Sequence, residues 1–168
     1  MSNELAGPLR IPSGSTIGVI GGGQLGRMTA LAAAPLGYTI HVYTEKVDSP
    51  TAQVCHASTV ADFDDEEALR SFGEQVDVVT YEWENIPVDS LKLLARNHPV
   101  RPSWDILEIS QDRAAEKTFV NEAGIATTDW REVESLAELK SAVDEIGVPC
   151  VLKTAGFGYD GKGQAPIE

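Results

Sequence analysis

Three short stretches of the chain carry residue types whose spacing could do chemistry. Gly21-Gly-Gly23-Gln-Leu-Gly26 satisfies G-x-G-x-x-G directly after the apolar, β-branched run Thr16-Ile-Gly-Val-Ile20. Glycines between a strand and a helix let a ligand approach the backbone amides, and the helix start favours negative charge. Alone, this pattern suits a dinucleotide, with Glu45 placed about twenty residues on as a ribose-binding acid. A tight strand-to-helix turn that binds nothing would need the same small residues.

The second stretch, Tyr81-Glu-Trp-Glu-Asn-Ile-Pro87, puts Glu82, Glu84 and Asn85 at the carboxyl end of an expected strand, where open α/β sheets bind their ligands. Capping of a helix that begins near Pro87 would use the same polar types. The third is Val151-Leu-Lys153 followed by Gly156-Phe-Gly-Tyr-Asp-Gly-Lys-Gly-Gln164. A lysine on a strand beside a glycine loop suits phosphates, because the cation offsets their charge while loop N–H groups close over them. The loop lacks the spacing and the terminal G-K-[ST] of a Walker A motif, and a plain glycine-rich hairpin is its other reading.

These stretches need a scaffold, and the hydrophobic periodicity supplies one. Thr16–Ile20 reads as a buried strand, Gln24–Leu36 as a helix with Leu25, Met28, Leu31 and Ala32 at helical spacing, and Gly37 as its left-handed stop. Tyr38–Thr44 reads as a second strand, the acidic run from Asp62 as a helix start, Val76–Thr80 as a strand, and the segment after Pro87 as another helix. Strands alternating with helices imply a parallel α/β sheet covered on both faces. Near His98-Pro-Val-Arg-Pro102 the rhythm breaks, which sets a domain boundary between residues 1–102 and 103–168. Beyond it the pattern predicts helices over Trp104–Ile109 and Gln111–Ala123. A further helix opens on the capping box Ser135-Leu-Ala-Glu138, and a strand follows over Cys150–Thr154.

Composition narrows the functional classes. With 168 residues, 42% hydrophobic and 23% charged, the chain has enough apolar side chains for one ordinary core or two small ones. A net charge of -13 repels nucleic acid and anionic lipid, so neither is an expected partner. Cys55 and Cys150 stand far apart without C-x-x-C or histidine-rich surroundings, which argues against a disulfide framework or a zinc site and for two small buried thiols. Residues 1–15 hold no apolar run of signal-peptide length and no stretch approaches the ~18 apolar residues of a membrane span, so the cytoplasm is the expected location.

Four segments, IGVIGGGQLGRM, YEWENIP, QDRAAEK and VLKTAGFGYDGKGQ, in this order and at suitable intervals, resemble the 5-(carboxyamino)imidazole ribonucleotide synthases, ATP-grasp ligases of purine biosynthesis. The resemblance spans nearly all of residues 16–168. It implies a Rossmann-like amino-terminal domain that binds no NAD, followed by the start of a small α+β ATP-grasp domain. In such enzymes ATP, with magnesium ions bridging its phosphates, converts bicarbonate to carboxyphosphate, which carboxylates the exocyclic amine of 5-aminoimidazole ribonucleotide. Carried over by position, Arg113 and Lys153 resemble ATP contacts. The run Gly158, Tyr159, Asp160, Gly161, Lys162, Gly163 and Gln164 resembles the lid over its phosphates. Tyr159, Asp160 and Lys162 would also face the reacting groups, and Gln24, Leu25 and Glu82 would line the ribonucleotide pocket.

The resemblance departs at Thr154-Ala-Gly156, where some relatives carry basic residues. It also implies that the magnesium ligands and the basic residues for the ribonucleotide phosphate come from later parts, so this chain reads as an inactive fragment of an enzyme that is a homodimer when intact. Two other classes stay open at this stage: an NAD-dependent oxidoreductase using Gly21–Gly26 and Glu45, and a non-catalytic nucleotide-binding domain. A formate-transferring ATP-grasp enzyme acting on a glycinamide ribonucleotide shares the architecture, but GYDGKGQ fits the carboxylating enzymes better.

Overall fold

In the computed structural model Thr16–Ile20 forms β1, the centre of a parallel sheet, with residues 10–156, 158 and 162–168 described. The chain divides after Trp104 into two units. In the first, β1 is followed by α1 (Gln24–Ala33), a 3-10 turn over Ala34–Leu36, β2 (Thr39–Thr44), β3 (Ala57–Val60), α2 (Glu66–Gly73), β4 (Val78–Tyr81) and α3 (Val88–Ala95). The strand order is β3-β2-β1-β4, with β1 in parallel register to β2 (Ile17 opposite Ile40) and to β4 (Ile17 opposite Val78). Val100 prolongs the sheet past β4 through a parallel bridge to Val79.

Side-chain alternation along the strands explains why both faces are covered. Val19 and Ile40 point to one face, where they pack with Ala30 and Ala33 of α1. The opposite face belongs to Phe72 of α2, whose ring stands edge-on to His41 at 5.0 Å and to Tyr43 at 5.4 Å. Gly18 makes room for it, because a Cβ there would lie 2.7 Å from the Phe72 ring. This is the two-sided burial that a continuous apolar strand predicts.

Local signals set the element ends. Gly37, at φ +81°, ends the turn after α1 in the left-handed conformation that glycine adopts without strain. The acidic run starts its helix later than Asp62: Asp65 caps α2 by accepting from the Ala68 N–H at 3.0 Å, while the Asp62 carbonyl accepts from the Tyr43 hydroxyl at 2.7 Å. Strand β3 is an addition to the expected elements. As an edge strand it only half-buries one face, so Ala-Ser-Thr-Val shows no apolar run.

The second unit holds most of α4 (Trp104–Gln111), α5 (Arg113–Glu122), α6 (Leu136–Ile146) and the antiparallel pair β5 (Cys150–Lys153) and β6 (Gln164–Ile167). Asp112 separates α4 from α5 by capping α5, accepting from Ala114 N–H at 2.9 Å and Ala115 N–H at 2.8 Å. Ser135 accepts from Glu138 N–H at 3.2 Å, but the Glu138 carboxylate reaches to Glu134 N–H at 2.7 Å, one residue earlier than a capping box requires. Cys55 and Cys150 are both free and half-buried rather than enclosed in a core. Among the described residues no helix is long and apolar enough to cross a membrane.

Candidate functional site

The chain runs from β1 to β2 and β3 on one side, then returns to place β4 on the other, so the switch point of the sheet lies between β1 and β4. Open α/β sheets form a crevice at the carboxyl ends of such strands. There, the Gly21–Gly26 turn leaves β1, and Glu82 leaves β4 with its N–H on the Ile20 carbonyl at 3.1 Å. The Glu82 Oε1 accepts from the Gly23 N–H at 2.8 Å, joining residues 59 apart in sequence.

The turn is clasped from the other side by residues 49–55. Thr51, fully buried, donates its N–H to the Gly22 carbonyl at 3.0 Å and its hydroxyl to the Gly23 carbonyl at 2.9 Å. A Cβ on Gly26 would lie 2.4 Å from the Thr51 hydroxyl, and one on Gly22 would lie 2.5 Å from that of Ser49. Arg27 holds the segment down by donating to the Pro50 carbonyl at 3.2 Å and to Gln53 Oε1 at 2.9 Å. The glycines are thus demanded by the protein's own side chains. A carboxylate already occupies the N–H that a pyrophosphate would need, so the turn suits a neutral or hydroxyl-bearing group better than a dinucleotide phosphate.

Of the residues expected here, Gln24 and Leu25 stand exposed on the first turn of α1, and Glu82 is half-buried beside them. Glu84 is exposed and Asn85 half-buried, while Ile86 of the same stretch is wholly buried. Glu45 is exposed after β2.

The second unit carries its own cleft of about 740 Å³, lined by Arg113, Lys117, Lys153 and Thr154 together with apolar residues such as Val143 and Leu152. The Asp112 cap makes Arg113 the first residue of α5, and its N–H donates to the Ala155 carbonyl at 2.9 Å, tying that helix start to the segment after β5. Lys117 follows one turn later, on the same face. Thr154 organises the glycine hairpin: its N–H donates to the Gly163 carbonyl at 2.8 Å. Gly163 adopts φ +70°, where a Cβ would lie 2.6 Å from the Thr154 hydroxyl. The lining also includes Arg131, paired with Glu145, and the carboxylates Asp129, Glu132 and Glu134. Arg113, Lys117 and Lys153 beside the apolar wall fit a nucleotide with its phosphates.

Lys153, at the end of β5, and Arg113 therefore line one cleft, while Gly158, Lys162, Gly163 and Gln164 are exposed in and after the loop. Tyr159, Asp160 and Gly161 lie outside the described residues. The sequence motifs alone do not mark Lys117 or Thr51. The spacing of Lys117 from Arg113 is a usable signal, whereas no pattern marks Thr51. Among the described residues no group of three or more His, Cys, Asp or Glu could hold a metal ion.

A family model described as the ribonucleotide synthetase preATP-grasp domain matches residues 14–111. The chain belongs to that family. A second model, the ATP-grasp domain, matches residues 118–168. The N5-carboxyaminoimidazole ribonucleotide synthase of Brucella melitensis is 48% identical over 154 residues, which is 92% of this preATP-grasp chain and 42% of the relative. A solved ADP complex of an N5-carboxyaminoimidazole ribonucleotide synthetase superposes with a TM-score of 0.89 at 43% identity, covering 94% of this chain and 42% of the other. The Aspergillus clavatus synthase in complex with ADP and 5-aminoimidazole ribonucleotide gives 0.81 at 30% identity, covering 92% and 41%. The preATP-grasp chain thus spans less than half the length of these relatives, which are ATP-grasp ligases.

Proposed function

We propose that this chain is the amino-terminal part of a ligase that carboxylates 5-aminoimidazole ribonucleotide with bicarbonate, giving 5-(carboxyamino)imidazole ribonucleotide, ADP and phosphate. The observation that carries the reading is the conjunction of two built sites on one chain: the Glu82-capped glycine turn and the cationic cleft of Arg113, Lys117 and Lys153. The complexes of similar synthases with ADP, and with ADP and 5-aminoimidazole ribonucleotide, support it.

ATP supplies the phosphoryl group that activates bicarbonate as carboxyphosphate. Arg113 and Lys153 stabilise the phosphate charge, a term that grows as charge moves to the leaving group. Gly158, Tyr159, Asp160, Gly161, Lys162, Gly163 and Gln164 serve as contacts to the phosphates, and Tyr159, Asp160 and Lys162 also act at the reacting carboxyl group. In the first unit, Gln24, Leu25 and Glu82 take the ribonucleotide by its uncharged parts. Residues 1–102 form the preATP-grasp domain and 103–168 the beginning of the ATP-grasp domain. Magnesium and the ribonucleotide phosphate are held by parts of the longer enzyme, which acts as a homodimer in the cytoplasm.

The test joins this chain to the carboxyl-terminal part of the Brucella relative and follows phosphate release with 5-aminoimidazole ribonucleotide and bicarbonate. The expected result is turnover that needs both substrates, none by residues 1–168 alone, and a fall of about 100-fold for Lys153→Met. Turnover with formate and glycinamide ribonucleotide instead would move the chain to the formate-transferring enzymes. Saturable quenching of NADH fluorescence by the chain, with no ligase turnover, would replace the reading by an oxidoreductase.

A further inference from the structure

The two peptides that follow Gly22 are each held at more than one point, and Thr51 holds a carbonyl of both. In a trans peptide the C=O and N–H point in opposite directions. Thr51 N–H holds the Gly22 carbonyl at 3.0 Å, and the N–H of that same peptide, belonging to Gly23, is thereby turned toward Glu82 Oε1 at 2.8 Å. The Thr51 hydroxyl holds the next carbonyl, that of Gly23, at 2.9 Å, beside the bond that this carbonyl accepts from the Arg27 N–H at 3.1 Å. This turns the Gln24 N–H away from Thr51. Gln24 is the first residue of α1, whose N–H has no partner inside the helix.

We propose that Thr51 is a positioning residue for the ribonucleotide: by clamping two successive carbonyls it presents the Glu82 carboxylate and the Gln24 N–H together, on the crevice side of the turn. This rests on the reading that the crevice takes 5-aminoimidazole ribonucleotide. Thr51 touches no substrate itself. It is buried behind the turn, its hydroxyl 2.4 Å from where a Cβ of Gly26 would stand, and the contacts of Arg27 to Pro50 and Gln53 keep its segment in place. Valine at this position keeps the shape and removes the hydroxyl. Serine restores the hydroxyl without the methyl group.

The decisive experiment measures KM for each substrate in the joined full-length enzyme carrying Thr51→Val or Thr51→Ser. Thr51→Val is expected to raise KM for 5-aminoimidazole ribonucleotide about tenfold, the effect of one lost buried hydrogen bond. KM for ATP stays unchanged and Thr51→Ser recovers most of the loss. A merely structural role would reduce the active fraction and leave both KM values alone, and that result, or an equal rise in both, overturns the proposal. In parallel, the backbone amide resonance of Gln24 in residues 1–168, which reports the peptide whose carbonyl the hydroxyl holds, should shift in Thr51→Val and return in Thr51→Ser. An unmoved Gln24 amide also overturns it, whatever the kinetics. If the unsubstituted enzyme does not turn over the ribonucleotide, the ligase reading fails and the proposed role of Thr51 falls with it. Should Thr51→Val not fold, Thr51→Ala removes the same hydroxyl in a smaller side chain and is read by the same two measurements.

Discussion

The first unit has a buried apolar core although Leu25, Met28 and Leu31 of α1 stay exposed, and the second, as far as its described residues go, has almost none. Of the buried apolar side chains only Leu107 and Ala142 belong to residues 105–168, while Val19, Ile20, Tyr43, Phe72 and Leu91 are among those that fill the first unit. In the second unit Phe119, Ile125, Leu136, Val148 and Val151 are all exposed, and its sheet has two strands. A two-stranded sheet is marginal in water by itself, whereas a parallel sheet covered on both faces is a complete layered core. The contrast locates the work of each part. The glycine turn and Glu82 are held by a finished scaffold. Arg113 and Lys153 depend on two helix and strand ends joined by a few backbone hydrogen bonds.

The largest effect that would sharpen this contrast is Phe72→Ala. Phe72 is wholly buried against His41 and Tyr43, and its removal should cost about 3–5 kcal/mol and unfold the first unit cooperatively at lower urea. Fluorescence of Trp83 and Trp104 follows that unit, and an unchanged midpoint would deny it a core of its own. Next, Gly26→Ala forces a Cβ into the Thr51 hydroxyl and should destabilise by about 1–3 kcal/mol, with amide shifts confined to the turn and residues 49–55. Smaller still is Asp112→Ala, which removes the cap of α5 and should cost about 1 kcal/mol. Amide exchange should then rise over α5 while the first unit keeps its protection. Loss of protection in β1 and β2 would break the separation of the two units.

The smallest effect concerns pH. Burial, with a lesser contribution from His56, holds the His41 pKa below its ordinary value of 6.5. Because the folded chain binds the proton less readily than the unfolded one, the stability from neutral His41 is complete above that value. It is lost as pH falls from there through the lowered folded-state value. The groups facing the ring are the Thr59 hydroxyl at 2.9 Å, the Phe72 ring and His56. His41→Gln should therefore flatten the fall in urea midpoint between about pH 7 and 5. An equally steep fall in the variant would assign that pH dependence to other groups. Tyr43, whose phenol is pushed up to about 12 chiefly by burial and then by the nearby Asp65 and Asp62, stays neutral across this range.

The residues themselves determined the parallel sheet, the strand-to-helix position of the glycine turn, the stop at Gly37 and the placing of Arg113 at a helix start and Lys153 on a strand. Each follows from periodicity, a cap or a backbone angle within a few residues, which is what a linear sequence exposes. The edge strand Ala57–Val60 escaped, because one-sided burial demands no apolar run. Tertiary structure alone decided which side chains fill the turn and which cations share a cleft. Glu82 on the Gly23 N–H, Thr51 on the Gly22 and Gly23 carbonyls, and Lys117 beside Arg113 and Lys153 in one cleft are set by sheet order and helix packing. Such partners are chosen by distance in space: the register of β1 against β4 brings Glu82 to the Gly23 N–H, while the bond from the Arg113 N–H to the Ala155 carbonyl joins the start of α5 to the segment after β5.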